Sequence, residues 1–188
     1  MVVAILLAAG SGTRFGGDKQ LVRVGGKPVI AWSLQCLSAV AGIDAIVIVG
    51  NAENLSQLHE LAAAYPKVSA VIAGGESRFA SSRLGFAKAE ELGADICIFH
   101  NGCNPGVTTA EVEAVIEAAR SSGAAGVAHI VTSTLRRAGE GTIPRAVLRD
   151  QALDDQPVLF PGHNEFFINP GRPQQEVLFL RIFPESFP

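Results

Sequence analysis

Short apolar runs alternate with segments of helical period along the first 131 residues. The runs are residues 2–8, 45–49, 68–73, 96–100 and 126–131, several of them rich in valine and isoleucine. Continuous apolarity over so few residues is the pattern of strands buried on both faces. Between the runs, Pro28 suits the first position of a helix carrying Ile30, Leu34, Leu37 and Val40. Leu55, Leu58 and Ala62 mark a second helix, and a third runs from about Ser77 to Leu92. A fourth opens with Thr108 and Glu111 at capping-box spacing, then shows Val112, Val115, Ile116 and Ala119 on one face. Repeated strand–helix alternation predicts an α/β domain, a Rossmann-like and mostly parallel sheet with helices on both faces. Ligands of such sheets bind beyond the carboxyl ends of the strands. The segments after Ala8, after Ala73 and after Phe99 all lie at such ends, so a site is expected where they converge.

Beyond residue 132 the rhythm stops. Residues 132–150, with Arg136, Arg137, Arg145 and Arg149, read as a protruding arm or hairpin. Residues 162–188 are apolar, rich in proline and phenylalanine, and aperiodic. Such a stretch is expected to be an irregular tail. The expected division is a domain over 1–161, including the arm, followed by that tail.

A chain of 188 residues with 48% hydrophobic content suits one well-filled core. The net charge of −3 supplies no basic face, which excludes nucleic acid as the expected partner but leaves small anions open. Cys36, Cys97 and Cys103 are odd in number and lack CxxC spacing. Neither a disulfide framework nor a zinc site is expected, and a reducing cytoplasm fits. The opening MVVAILLAA imitates the apolar part of a signal peptide but lacks a basic flank, and it reads as a buried first strand. No run reaches the roughly 18 apolar residues that span a bilayer, so no membrane association is expected.

The chemistry concentrates in LLAAGSGTRFGGDKQ, residues 6–20. Gly10, Gly12, Gly16 and Gly17 allow successive N–H groups to converge on one anion, and Arg14 and Lys19 add full positive charge beside them. A triphosphate needs that arrangement. The loop is not a Walker A sequence, because no Gly-Lys-Ser/Thr closes it. Nor is it the dinucleotide fingerprint, which requires a third glycine and a later acidic residue.

Ala-Ala-Gly-x-Gly-x-Arg followed by Lys19-Gln20 resembles the nucleotide loop of sugar-phosphate nucleotidyltransferases. LVRVGGKPVIAWSL is similar also to molybdenum-cofactor cytidylyl- and guanylyltransferases. GGESRFASSRLGF (74–86), FHNGCNP (99–105) and VTSTLRR (131–137) follow in the order of three segments of the 2-C-methyl-D-erythritol 4-phosphate cytidylyltransferase family. The resemblance covers about residues 3–161. It implies transfer of CMP from CTP to a small sugar-alcohol phosphate with release of pyrophosphate, Mg²⁺ as cofactor, and a homodimer. It implies Arg14 and Lys19 as catalytic cations, and Ala8, Ala9, Gly10, Gly12, Gly75, Glu76 and Ser81 around the nucleotide. Asn101, Thr134 and Arg149 would face the acceptor.

The chain departs from the family pattern at the acceptor side. Asn101 stands for an aspartate, Asn104 for an arginine, and Ser133 and Arg136 for an aspartate and a lysine. The family's last acidic and lysine-bearing segments have no counterpart in residues 162–188. Two alternatives therefore stay open. One is a molybdopterin or other sugar-phosphate nucleotidyltransferase, and the other a non-catalytic nucleotide-binding homologue.

Overall fold

A computed structural model describes residues 1–10, 12 and 16–127, together with the backbone of 135–139, 142–147 and 177–181. In it, β1 (Val2–Ala8), β4 (Ala45–Gly50), β5 (Val68–Ala73) and β6 (Ile96–Asn101) form the parallel part of a six-stranded sheet. Its order is β5-β4-β1-β6-β10-β7, with β7 at Gly126–Val127 and β10 at Val177–Arg181. A short hairpin of β2 (Arg23–Val24) and β3 (Lys27–Pro28) leads into the first helix.

The side chains of β1 alternate between two cores, as a two-residue period requires. Val2, Ala4, Leu6 and Ala8 belong to the layer with Ile30, Leu34, Leu58, Val112 and Ile116. That layer is covered by α1 (Val29–Ala39), α2 (Leu55–Ala62) and α4 (Thr109–Ser122). Val3 and Ile5 pack in the other, with Val47, Val49 and Cys97, under α3 (Arg78–Glu91). Gly85 lets α3 approach the sheet, since a Cβ there would fall 2.5 Å from Cγ2 of Ile5. The expected α/β architecture with helices on both faces is the observed one.

Local signals hold to within a residue. Thr108 and Glu111 form the full reciprocal capping box at the start of α4, and Gly123 closes that helix at φ +89°. Pro28 precedes α1 instead of opening it, because its ψ of 146° is extended and its backbone still pairs in β3. The arm is seen as a hairpin, β8 (Leu135–Gly139) and β9 (Thr142–Val147), which forms a sheet of its own.

The stretch expected to be an irregular tail is corrected in one part. Val177–Arg181 enters the main sheet antiparallel to both β6 and β7. A five-residue strand with one hydrophobic run has no period to detect, and its pairing partners lie about eighty and fifty residues earlier. The rest of 162–188 lies outside the described residues.

Candidate active site

The strand order reverses at β1: the chain builds outward through β4 and β5, then returns to place β6 on the opposite side of β1. Ligand crevices of open α/β sheets form at such a point. The strand ends are level there, with Ala8 opposite Gly50, Gly50 opposite Ala73, and Leu7 opposite Asn101. Directly beyond them lies a cleft of about 380 Å³, lined from three sides. Ala9, Gly10, Lys19 and Gln20 come from the loop after β1, and Gly75 to Arg78 with Ser81 from the entry to α3. Asn101 ends β6, and Cys103 and Asn104 come from the turn after it.

The loop after β1 is bent back on itself. Gly12 has φ +60°, and Gly16 N–H donates to its carbonyl at 3.1 Å. A Cβ at Gly12 would fall 1.9 Å from the Gly17 carbonyl oxygen, so the turn admits glycine alone. This brings Lys19 back over the end of β1.

The α3 wall is held by contacts that leave no room for larger residues. Gly74 N–H donates to Gly50 O at 2.7 Å, tying the end of β5 to β4. Ser81, 3% exposed, accepts from Gly75 N–H at 3.2 Å and donates to Gly75 O at 3.3 Å. Ser77 caps the helix by accepting from Ala80 N–H at 3.1 Å. The positive end of α3, with Arg78 in its first turn, thus lines the same cleft as Lys19. Neither cation is paired with a carboxylate among the described residues.

On the third wall, Asn104 N–H closes a turn onto Asn101 O at 3.0 Å, and Gly102 N–H reaches Leu7 O at 2.9 Å. His100 lies beneath this turn, 1% exposed, with Nε2 3.1 Å from Asn104 O. A carbonyl acceptor requires Nε2 to carry the proton, and the buried Nδ1 has no partner among the described residues. Burial lowers the His100 pKa to about 4, against the opposing pull of the Asn104 carbonyl. The ring is neutral at pH 7 and is structural. Burial raises the thiol pKa of Cys103, with Lys19 opposing and Asp18 adding to the rise. It lines the cleft as an uncharged group, not as an activated nucleophile.

The His100 shift has a sign that can be measured. Its folded pKa lies below the unfolded value, so its contribution is present above about pH 6.5 and is lost as pH falls toward 4. The loss is at most about 3 kcal/mol. A His100→Gln variant keeps a donor for Asn104 O but does not titrate. Denaturant melts from pH 7 to 4 are expected to show the wild type losing more stability than the variant. Parallel curves would remove the buried neutral histidine.

Of the residues implied by resemblance, Ala9, Gly10, Lys19, Gly75, Glu76, Ser81 and Asn101 line one cleft. Ala8 lies beneath it, fully buried, its carbonyl accepting from Asn54 Nδ2 at 3.0 Å. Gly12 shapes the loop without lining the cleft. Arg14, Thr134 and Arg149 lie outside the described residues. Leu7, Gln20, which is 3% exposed, Ser77 and Cys103 also line the cleft and were given no role by the sequence pattern. Only the position of Ser77 at a helix start carried a signal.

The family model described as 2-C-methyl-D-erythritol 4-phosphate cytidylyltransferase matches residues 2–159. The chain belongs to this family. The enzyme of that name from Halalkalibacterium halodurans is 33% identical over 162 residues, which cover 80% of this chain and 70% of that protein. A bifunctional enzyme IspD/IspF of Chelativorans sp. is 35% identical over 153 residues, 77% of this chain. There the chain spans only 38% of the relative's length. The solved 2-C-methyl-D-erythritol 4-phosphate cytidylyltransferase of Thermus thermophilus superposes with a TM-score of 0.59 at 28% identity. That match covers 80% of this chain and 66% of the other. No helix among the described residues is long and apolar enough to cross a membrane.

Proposed function

We propose that the chain transfers CMP from CTP to a sugar-alcohol phosphate, 2-C-methyl-D-erythritol 4-phosphate, releasing pyrophosphate. The observation that carries this reading is the cleft itself. It sets Lys19 and Gly10 on one wall against the Gly75–Ser81 corner on the other, at the switch point of the sheet. A volume of about 380 Å³ suits a nucleotide-sized ligand.

In the reaction an acceptor phosphate oxygen bonds to the α-phosphorus of CTP as the bond from that phosphorus to the bridging oxygen breaks. The electron pair leaves with pyrophosphate. Negative charge crowds on the oxygens of the α-phosphoryl group, and fixed cations and aimed N–H groups offset it. Lys19 supplies the charge from the loop wall, and by resemblance Arg14 supplies a second. Gly10 lines the same wall. Across the cleft, Gly75, Glu76 and Ser81 hold the base and ribose, with backbone polar groups discriminating the amino and carbonyl edge of cytosine.

Mg²⁺ fits the described residues poorly. They contain no group of three His, Cys, Asp or Glu side chains placed to hold a metal. Among the described residues Glu76 is the one carboxylate lining the cleft, on the nucleotide wall, while the opposite wall offers the neutral Asn101. No step is therefore assigned to a protein-held cation.

A second reading, a nucleotide-binding homologue without turnover, is favoured by the neutral Asn101 and Asn104. Pyrophosphate release, measured with CTP and a panel of acceptor phosphates, separates the two. CTP with 2-C-methyl-D-erythritol 4-phosphate is expected to be productive; CTP binding without release for any acceptor would select the second reading. GTP binding as tight as CTP would point to the guanylyltransferase neighbours, and the nucleotide would then release pyrophosphate with a molybdopterin or other sugar-phosphate acceptor.

The same assay tests the acceptor wall. Asn101→Asp restores one charged oxygen without changing side-chain size, and hard divalent cations prefer such ligands. The variant is expected to reach half-maximal turnover at a lower Mg²⁺ concentration. Lower activity at every Mg²⁺ concentration would give Asn101 a role that its amide alone fills.

A further inference from the structure

Asn54 stands at the N-terminal boundary of α2, where asparagine ordinarily accepts from the free N–H groups of its own helix. Its side chain makes no such bond. Instead the amide is directed to three other segments. Nδ2 donates to Ala8 O at 3.0 Å and to Asp18 Oδ2 at 2.6 Å, and Oδ1 accepts from Asn51 N–H at 2.8 Å. Asn54 is 1% exposed. Gly50 leaves room for it, since a Cβ there would lie 2.6 Å from Asn54 Oδ1. One buried amide thus joins the last carbonyl of β1, the turn after β4 and the loop that carries Lys19.

Asp18 passes the connection on. Its second oxygen, Oδ1, accepts from Gln20 N–H at 3.0 Å, and Gln20 O accepts from Ile30 N–H at 3.0 Å. The backbone is therefore fixed on both sides of Lys19, which is itself exposed. A lysine ammonium on a four-carbon stem has several accessible positions, and its reach depends on where its Cα is held.

We infer that the Asn54–Asp18 pair is the positioning device that sets Lys19 over the phosphate end of the cleft. This rests on the nucleotide reading above. The two residues act through Lys19 and touch no substrate. Charge and geometry give opposite signs here. An aspartate beside a polyphosphate opposes its binding by Coulomb repulsion, so removing Asp18 would tighten CTP binding if charge alone mattered. Positioning requires the reverse.

The test is a set of CTP titrations, with thermal melts of each protein, on the wild type, Asp18→Ala and Asn54→Ser. Each substitution is also combined with Lys19→Ala. Each is expected to weaken CTP by about tenfold when Lys19 is present and by less than about twofold when it is absent, the coupling of residues that act as a unit. Binding by Asp18→Ala as tight as the wild type, or tighter, overturns the inference. So do equal losses in both Lys19 backgrounds, which mean general damage. Should Asp18→Ala not fold, Asp18→Asn keeps the size but cannot accept both bonds through oxygen; it is expected to lose about threefold, and unchanged binding would overturn the pairing. CTP binding without turnover in the wild type leaves the inference intact and removes only the enzymatic reading. No CTP binding by the wild type removes the nucleotide reading, and the inference with it.

Discussion

Lys19→Ala is expected to weaken CTP binding by about ten- to a hundredfold while leaving the melting temperature unchanged. The two halves of that statement come from one observation. Lys19 is exposed, lines the cleft and pairs with no carboxylate among the described residues, so the fold draws no support from its charge. A charge-assisted hydrogen bond to a phosphate, by contrast, contributes about 1.5–3 kcal/mol, and each 1.4 kcal/mol is about tenfold in affinity. Turnover falls at least as far, because charge on the α-phosphoryl oxygens grows toward the transition state. Lys19→Arg retains the charge but replaces a compact ammonium with a planar fork, so partial recovery is expected. Titration with CTP and pyrophosphate release measure the two effects separately. Unchanged affinity and unchanged turnover in Lys19→Ala would take the loop out of the site.

The parallel sheet was legible because each strand is a short apolar run between helical patterns, and both periods are local. The capping box of α4 was legible for the same reason. Thr108 and Glu111 are three residues apart, and the bonds between them need nothing from the rest of the molecule. The convergence of the three cleft segments followed from topology alone, once strands and helices alternated. Pairings between distant segments were not legible. β10 depends on β6 and β7, and a four-residue apolar run reads the same whether it docks or not. Asn54 reads as an ordinary residue before a helix, and only the tertiary arrangement shows its amide turned away from that helix. Lys19 and Gly75 were visible as site residues, whereas Gln20 and Cys103, although inside motifs, became cleft residues only through the fold.

The opposite wall should respond to a single methyl group. Gly74→Ala is expected to lower both stability and CTP affinity, for steric and not conformational reasons. The added Cβ would lie 2.7 Å from Ala9 Cβ, 2.7 Å from Ser81 Oγ and 3.2 Å from Gly50 O. Ala9 follows the central strand directly, and Gly50 O already accepts Gly74 N–H, so neither yields easily. Ser81 is then the group displaced, and it is the one that holds both polar groups of Gly75. Overpacking of this kind costs about 1–3 kcal/mol of stability. The loss of binding should depend on which part of the ligand is tested. On the proposed reading tripolyphosphate rests on the Lys19 wall, so its affinity should change less than that of CTP, which also needs the Gly75–Ser81 corner and should bind at least about tenfold more weakly. Lys19→Ala should weaken both ligands. If Gly74→Ala weakens tripolyphosphate as much as CTP, the α3 wall has no part in holding the base. Recognition would then belong to the loop after β1.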